Sequence, residues 1–158
     1  MKITTYIYAL FFVSLLASCG FKLVDNTQFL NYYIKDVKTD GNSRINFFLK
    51  NELSNKFNNS QGANEINIEI FSSKEKKIKE KNISNQITKY EITLKADVKM
   101  KINKKNIEKS FSSSTNGSYD VNKIQATTIS NHDNLEKFLT EKLSKQILER
   151  IKFIINDL

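Results

Sequence analysis

Cys19 is the only cysteine in this 158-residue chain, and its setting points to one chemistry. Lys2 supplies positive charge, Tyr6 to Ala17 is nearly all apolar, and Leu16-Ala17-Ser18 leads into the cysteine. The apolar run is about a dozen residues, the length of a signal-peptide core and short of the ~20 that span a bilayer. Small residues at 17 and 18 fit a narrow peptidase cleft. The thiol is the only strong nucleophile nearby, so it can become a thioether. Charge, apolar run, small residues and cysteine in that order form a lipobox. The chain therefore reads as a lipoprotein precursor, cut before Cys19 and held to a membrane by lipid on it. A diacylglyceryl group and an N-acyl chain on Cys19 would together give stable anchoring, where one acyl chain is marginal. Lipoproteins with Asp after the cysteine are generally retained at the inner membrane, and Gly20 resembles the outer-membrane-bound class.

Other reactive residues offer less. His132-Asp133 follows Thr127, Thr128 and Ser130, which is the raw material of a Ser–His–Asp site. An adjacent His-Asp at a helix start is more often a cap and a solvated neighbour. With one His and one Cys, the latter consumed by lipid, a Cys/His metal site and a Cys–His dyad are both excluded. The chain has no Gly-rich phosphate loop. The expectation is a protein that is not an enzyme, with no metal and no cofactor beyond the covalent lipid.

Lys and Arg number 25 against 17 Asp and Glu, a formal net charge of +8. Such a balance would raise nucleic-acid binding for a cytoplasmic chain, but export argues against that partner. The chain is rich in Lys, Asn and Ile and has no Pro, as an AT-rich coding sequence would give. An anionic ligand in the envelope is the other source of such a bias. The densest basic run is Lys74, Lys76, Lys77, Lys79 and Lys81, interrupted by Glu75 and Glu80 and followed by Lys89. Two readings stand: a solvated loop whose lysines reflect composition, or an anion-binding group at one end of a sheet.

The elements that would position these residues form an α+β fold, a four-stranded mostly antiparallel sheet with two helices on one face. Residues 1–18 are the signal peptide, 19–31 a lipidated tether, and 32–158 a single α/β sandwich domain. Tyr32 to Lys38 is a plausible short strand, with Tyr32, Ile34 and Asp36 opposite Tyr33, Lys35 and Val37. Asp40-Gly41-Asn42-Ser43 is a turn whose Asn42 or Ser43 can cap a helix. Ile45, Phe48, Leu49, Leu53 and Phe57 make one helical stripe, stopped by Asn58-Asn59-Ser60-Gln61-Gly62. Ile66, Ile68 and Ile70 alternate with polar residues as a half-buried strand does. From Tyr90 to Ile102 the alternation is complete, one face apolar and the other polar. A turn at Lys104-Lys105 would set Ile102 opposite Ile107, Val98 opposite Phe111 and Tyr90 opposite Tyr119. From Asp133, Leu135, Leu139, Leu143, Ile147, Ile151 and Ile155 recur every fourth residue, a helix of about six turns. A four-residue step drifts ~40° each time, so the stripe winds around the helix. Its apolar last turns, with Phe153, are either a bent helix still on its own sheet or a second contact surface for a partner.

Cys19-Gly20-Phe21-Lys22-Leu23 resembles the mature start of the LPS-assembly lipoprotein LptE family, and Asp25 matches a frequent acidic residue there. Thr88-Lys89-Tyr90-Glu91-Ile92-Thr93-Leu94 resembles that family's central strand, and Ser118-Tyr119-Asp120 its aromatic-Asp step before the final helix. Val24 stands where the family often has Arg, and the prolines near its first strand are missing here. The resemblance implies an outer-membrane lipoprotein that complexes the β-barrel LptD, helps it assemble, and helps deliver lipopolysaccharide to the outer leaflet. It also implies a domain on the periplasmic side or inside the barrel. With lipopolysaccharide as ligand, the candidate contacts are Lys76, Lys77, Lys79, Lys81 and Lys89. The alternative is an accessory lipoprotein of another envelope lipid or ABC-type transport system.

Overall fold

The computed structural model describes residues 32–57 and 64–157. Cys19, the tether and the Asn58–Gly62 helix stop lie outside the described residues. In chain order the elements are β1 (Tyr32–Gly41), α1 (Ser43–Lys56), β2 (Asn64–Lys81), β3 (Ile87–Ile102), β4 (Ile107–Asp120) and α2 (Gln125–Asn156). The strands lie side by side in sequence order. β1 runs parallel to β2, and the other two pairings are antiparallel.

The strict alternation along β3 decides which face of the sheet is covered. Ile92, Leu94, Ala96, Val98, Met100 and Ile102 are buried, while Lys95, Asp97, Lys99 and Lys101 between them are exposed. Burying a large aliphatic side chain contributes about 1.5–3 kcal/mol, so this row anchors the core. The hairpin to β4 has the expected register, with Ile102 opposite Ile107, Val98 opposite Phe111 and Tyr90 opposite Tyr119. A 3-10 turn at Asn103–Lys105 closes it, and Asn106 takes the left-handed conformation (φ 49°) that Asn tolerates better than most residues.

β1 is longer than its apolar pattern suggested, and its faces differ. The register shifts between Ile34 and Asp36, leaving Lys35 as an extra residue. This bulge changes the phase, so Val37 is buried as Tyr32 is, instead of opposing it. At its end Gly41 has φ +94°, and a Cβ there would meet the Ser72 carbonyl oxygen at 1.9 Å. Only glycine fits, and the close approach lets the Asn42 amide donate to Ser72 O at 3.0 Å. Asn42 also caps α1, its Oδ1 accepting from the Ile45 amide at 3.1 Å. Ile45, Leu49 and Leu53 form the buried face of α1, with Phe57 buried just after it and Phe48 only half-buried.

α2 begins at Gln125, about two turns before Asp133. Its first turns, Gln125 to His132, carry only Ala126 and Ile129 as apolar residues, so no stripe marks them. The Thr128 hydroxyl accepts from the Asn122 amide at 2.8 Å and ties the helix start to the end of β4. At 1.5 Å per residue the helix is about 48 Å long and lies across β4. It comes close at Gly117, where a Cβ would stand 2.8 Å from Leu135 Cδ1. Leu139, Leu143, Ile147, Leu148, Ile151 and Ile155 are buried, whereas Phe138 and Phe153 are exposed. The last turns thus keep one side on the sheet through Ile151 and Ile155, while Phe153 faces outward. Among the described residues no helix is long and apolar enough to cross a membrane.

Candidate functional site

The basic segment is a strand, not a loop. β2 continues through residues 74–81, each exposed, in an almost unbroken ladder with β3. Polar residues on both of its faces concealed the period of two from the sequence. Pairing opposite Leu94, Ile92 and Tyr90 puts Lys74, Lys76 and Ile78 on the helix-bearing face, and pairing opposite Glu91 puts Lys77 on the open face.

The five candidate lysines therefore do not form one patch. The Lys76 ammonium sits 3.9 Å from the centre of the Tyr90 ring and 5.5 Å from that of Tyr119. Lys77 pairs with Glu75 at 3.0 Å, and Lys79 pairs with Glu91 at 3.3 Å. Lys81 donates to Asn85 Oδ1 at 3.0 Å beside the β2–β3 turn. Lys89 bridges Glu80 at 3.1 Å and Asp120 at 3.6 Å. The hydrogen bond to Glu80, aided by its charge, holds the Lys89 ammonium above its ordinary pKa. Lys77, Lys79 and Lys89 gather toward the open face with carboxylate partners. Lys76 stands apart on the helix side, and among the described residues it has no carboxylate partner.

The sequence reading passed over a polar cluster between this hairpin and α2. Glu136 is 1% exposed, and Lys74 donates to both of its oxygens at 3.1 and 3.2 Å. Arg44 Nη1 lies 3.8 Å from Glu136 and 3.8 Å from Asp133. His132 Nδ1 is 3.0 Å from Asp133 Oδ1, its Nε2 is 3.7 Å from Glu136, and its ring meets Tyr119 edge-on. Tyr119 in turn stacks on Tyr90 at 5.7 Å. The cue available in sequence was Glu136 itself, a charge one turn before Leu139 on the buried stripe and one turn after His132.

These residues correct the expected role of His132-Asp133, which lies two turns inside α2 and is not its cap. None of the hydroxyls of Thr127, Thr128 and Ser130 bonds the imidazole, whose hydrogen-bond partner is Asp133; Thr128 contacts Asn122, and Ser130 accepts from Asn134 at 3.4 Å. His132, Asp133 and Glu136 bring ligand atoms within 4.8 Å of one another, close enough to hold a cation. Lys74 and Arg44 already supply positive charge to those carboxylates, so the donor set fits a salt-bridge network better than a metal. A second polar feature lies at the other end of the open face. There Lys35, Glu65, Lys99, Lys101 and Asn103 help line a depression of about 350 Å³. Glu65 accepts from Lys35 at 3.1 Å and also from Asn103.

The described residues define a two-layer α+β domain with one open, polar sheet face. Solved structures share this fold. Rare lipoprotein B from Shewanella oneidensis matches with a TM-score of 0.53 at 13% identity, over 74% of this chain and 93% of that one. An uncharacterized lipoprotein B from Nitrosomonas europaea matches with a TM-score of 0.53 at 15% identity, over 84% of this chain and 90% of that one. A candidate lipoprotein from Caulobacter crescentus CB15 matches with a TM-score of 0.52 at 12% identity, over 82% and 93%. No protein-family model and no curated protein matches the chain.

Proposed function

We propose that this chain is an outer-membrane lipoprotein, anchored by lipid on Cys19, that forms a complex with an LptD β-barrel. It assists assembly of the barrel and delivery of lipopolysaccharide to the outer leaflet. The observation that carries the reading is the fold likeness to rare lipoprotein B, which spans 93% of that chain. The Cys19-Gly20-Phe21 start agrees with it. The task needs binding surfaces and no reaction, and the basic hairpin is where anionic phosphates would meet charge-assisted donors.

The test is purification of the tagged, lipidated chain from detergent-solubilised membranes. Co-purification with a large outer-membrane barrel is expected. Co-purification with an inner-membrane transporter would replace this reading with that of an accessory transport lipoprotein. For the ligand, the probe is purified lipopolysaccharide at low salt. Changing Lys76, Lys77, Lys79, Lys81 and Lys89 together to Gln should weaken binding, and added salt should weaken the wild-type interaction. The fold should survive, because exposed ion pairs contribute little to stability. Equal binding by the five-Gln variant would place any ligand site elsewhere on the sheet.

A further inference from the structure

β1 accompanies β2 only as far as Ser72, opposite Gly41, and the chain then leaves the sheet for α1. β2 continues to Lys81 with β3 as its single strand partner among the described residues. Residues 73–81 thus form an edge about 30 Å long at ~3.3 Å per residue, and all nine are exposed. Among the described residues the backbone groups on its outer side have no strand to pair with, and such groups demand partners. We propose that this edge is a docking site for an extended, acidic segment of a partner protein, which adds to the sheet as a further strand.

Charge selects the occupant. The nine residues hold five lysines and two glutamates, Glu75 and Glu80. A second copy of this chain would bring lysines against lysines, which charged edge strands use to prevent self-pairing. A strand with Asp or Glu meets the opposite condition and gains both ladder hydrogen bonds and charge attraction. The lysines serve both faces of such a strand. Lys76 on the helix side has no carboxylate partner among the described residues, and Lys77 on the open face has only its exposed neighbour Glu75. The opposite edge of the sheet contrasts with this one. From Ser110 to Ser118, β4 carries no charge, and α2 packs over it at Thr115 and Gly117.

Anionic lipid could use the same lysines but has no use for a backbone edge, and this distinguishes the two ligands. The inference holds whether or not the partner is a barrel. The test places a photo-cross-linking benzoylphenylalanine singly at Ser73, Glu75 and Lys77 in the full lipidated chain in cells, with cross-linked residues mapped by mass spectrometry. All three positions lie on the open face, opposite Lys95, Thr93 and Glu91. The expected result is that the three positions mark one partner segment containing Asp or Glu, and that the contact moves two residues along it at each step. With the probe at Ser73 or Glu75, the Lys76→Glu, Lys77→Glu double variant should cut the yield about tenfold or more. Circular dichroism should show it folded, since both residues are exposed. Absence of cross-links, cross-links to lipopolysaccharide alone, scattered partner sites without the two-residue step, or a yield unchanged by charge reversal would each overturn the proposal.

Discussion

Replacing Lys74 with Met should destabilise the domain, and replacing Lys74 and Glu136 together by Met and Leu should restore much of what is lost. The Glu136 side chain is 2% exposed, and Lys74 holds both of its oxygens. Breaking a buried ion pair by removing one member costs roughly 3–5 kcal/mol, because the remaining charge is left uncompensated. Here one further cation, Arg44, and a nearby imidazole temper the loss. Arg44 lies 3.8 Å from the carboxylate, though half its side chain is in solvent, and His132 Nε2 lies 3.7 Å away. The single variant should therefore lose about 2–3 kcal/mol, at or just below the bottom of that range. The double variant removes the buried charge as well, and a packed aliphatic pair is often neutral or better. It should fall within about 1 kcal/mol of the parent, with Arg44 free to turn to solvent. The assay is urea unfolding of residues 19–158 carrying Cys19→Ser, followed by circular dichroism, with ΔG taken from midpoints at constant slope. If the double variant is less stable than Lys74→Met, the reasoning is refuted. The buried carboxylate would then contribute more through specific bonding than its desolvation costs.

Three other outcomes are expected. Leu94→Asp or Val98→Asp places an unpaired charge in the core and should abolish the cooperative thermal transition, while Thr93→Asp on the open face should shift it little. An unchanged melt of either core variant would contradict the assigned face. Cys19→Ser should remove all labelling by a metabolic fatty-acid analogue, and label persisting on the serine variant would refute the lipobox. The Glu65 carboxyl should titrate below its usual value of 4.5, because the Lys35 ammonium donates a hydrogen bond to it, with smaller help from that ammonium's charge and from the bonds of Asn103 and Tyr33. Its folded pKa is depressed, so its stabilising effect is present above the unfolded value and fades as pH falls through the folded one. Carboxyl NMR gives the midpoint directly, and a midpoint at or above 4.5, or one unmoved by Lys35→Gln, would refute the pairing.

The amino-acid sequence by itself determined what depends on near neighbours. The lipobox reading rests on a local string. The β3–β4 register was legible because an unbroken period of two and a short turn admit one pairing that keeps Tyr90–Ile102 and its partners on one face. The α1 cap could be narrowed to Asn42 or Ser43 because a capping bond reaches only two or three residues ahead, and Asn42 makes it. Tertiary structure decided what depends on distant partners. Val37 is buried because the β1 bulge answers to the spacing of β2, which strict alternation in β1 alone could not reveal. Residues 74–81 are a strand because β3 supplies their ladder, although their own side chains favour neither face. The early start of α2 rests on its tie to Asn122 and not on an apolar stripe. The burial of Glu136 was hidden for the same reason: a carboxylate on a buried stripe is tolerated only where another element brings cations to it. Here those are Lys74 from β2 and Arg44 from α1, far away in the chain and close only once the sheet and both helices have packed.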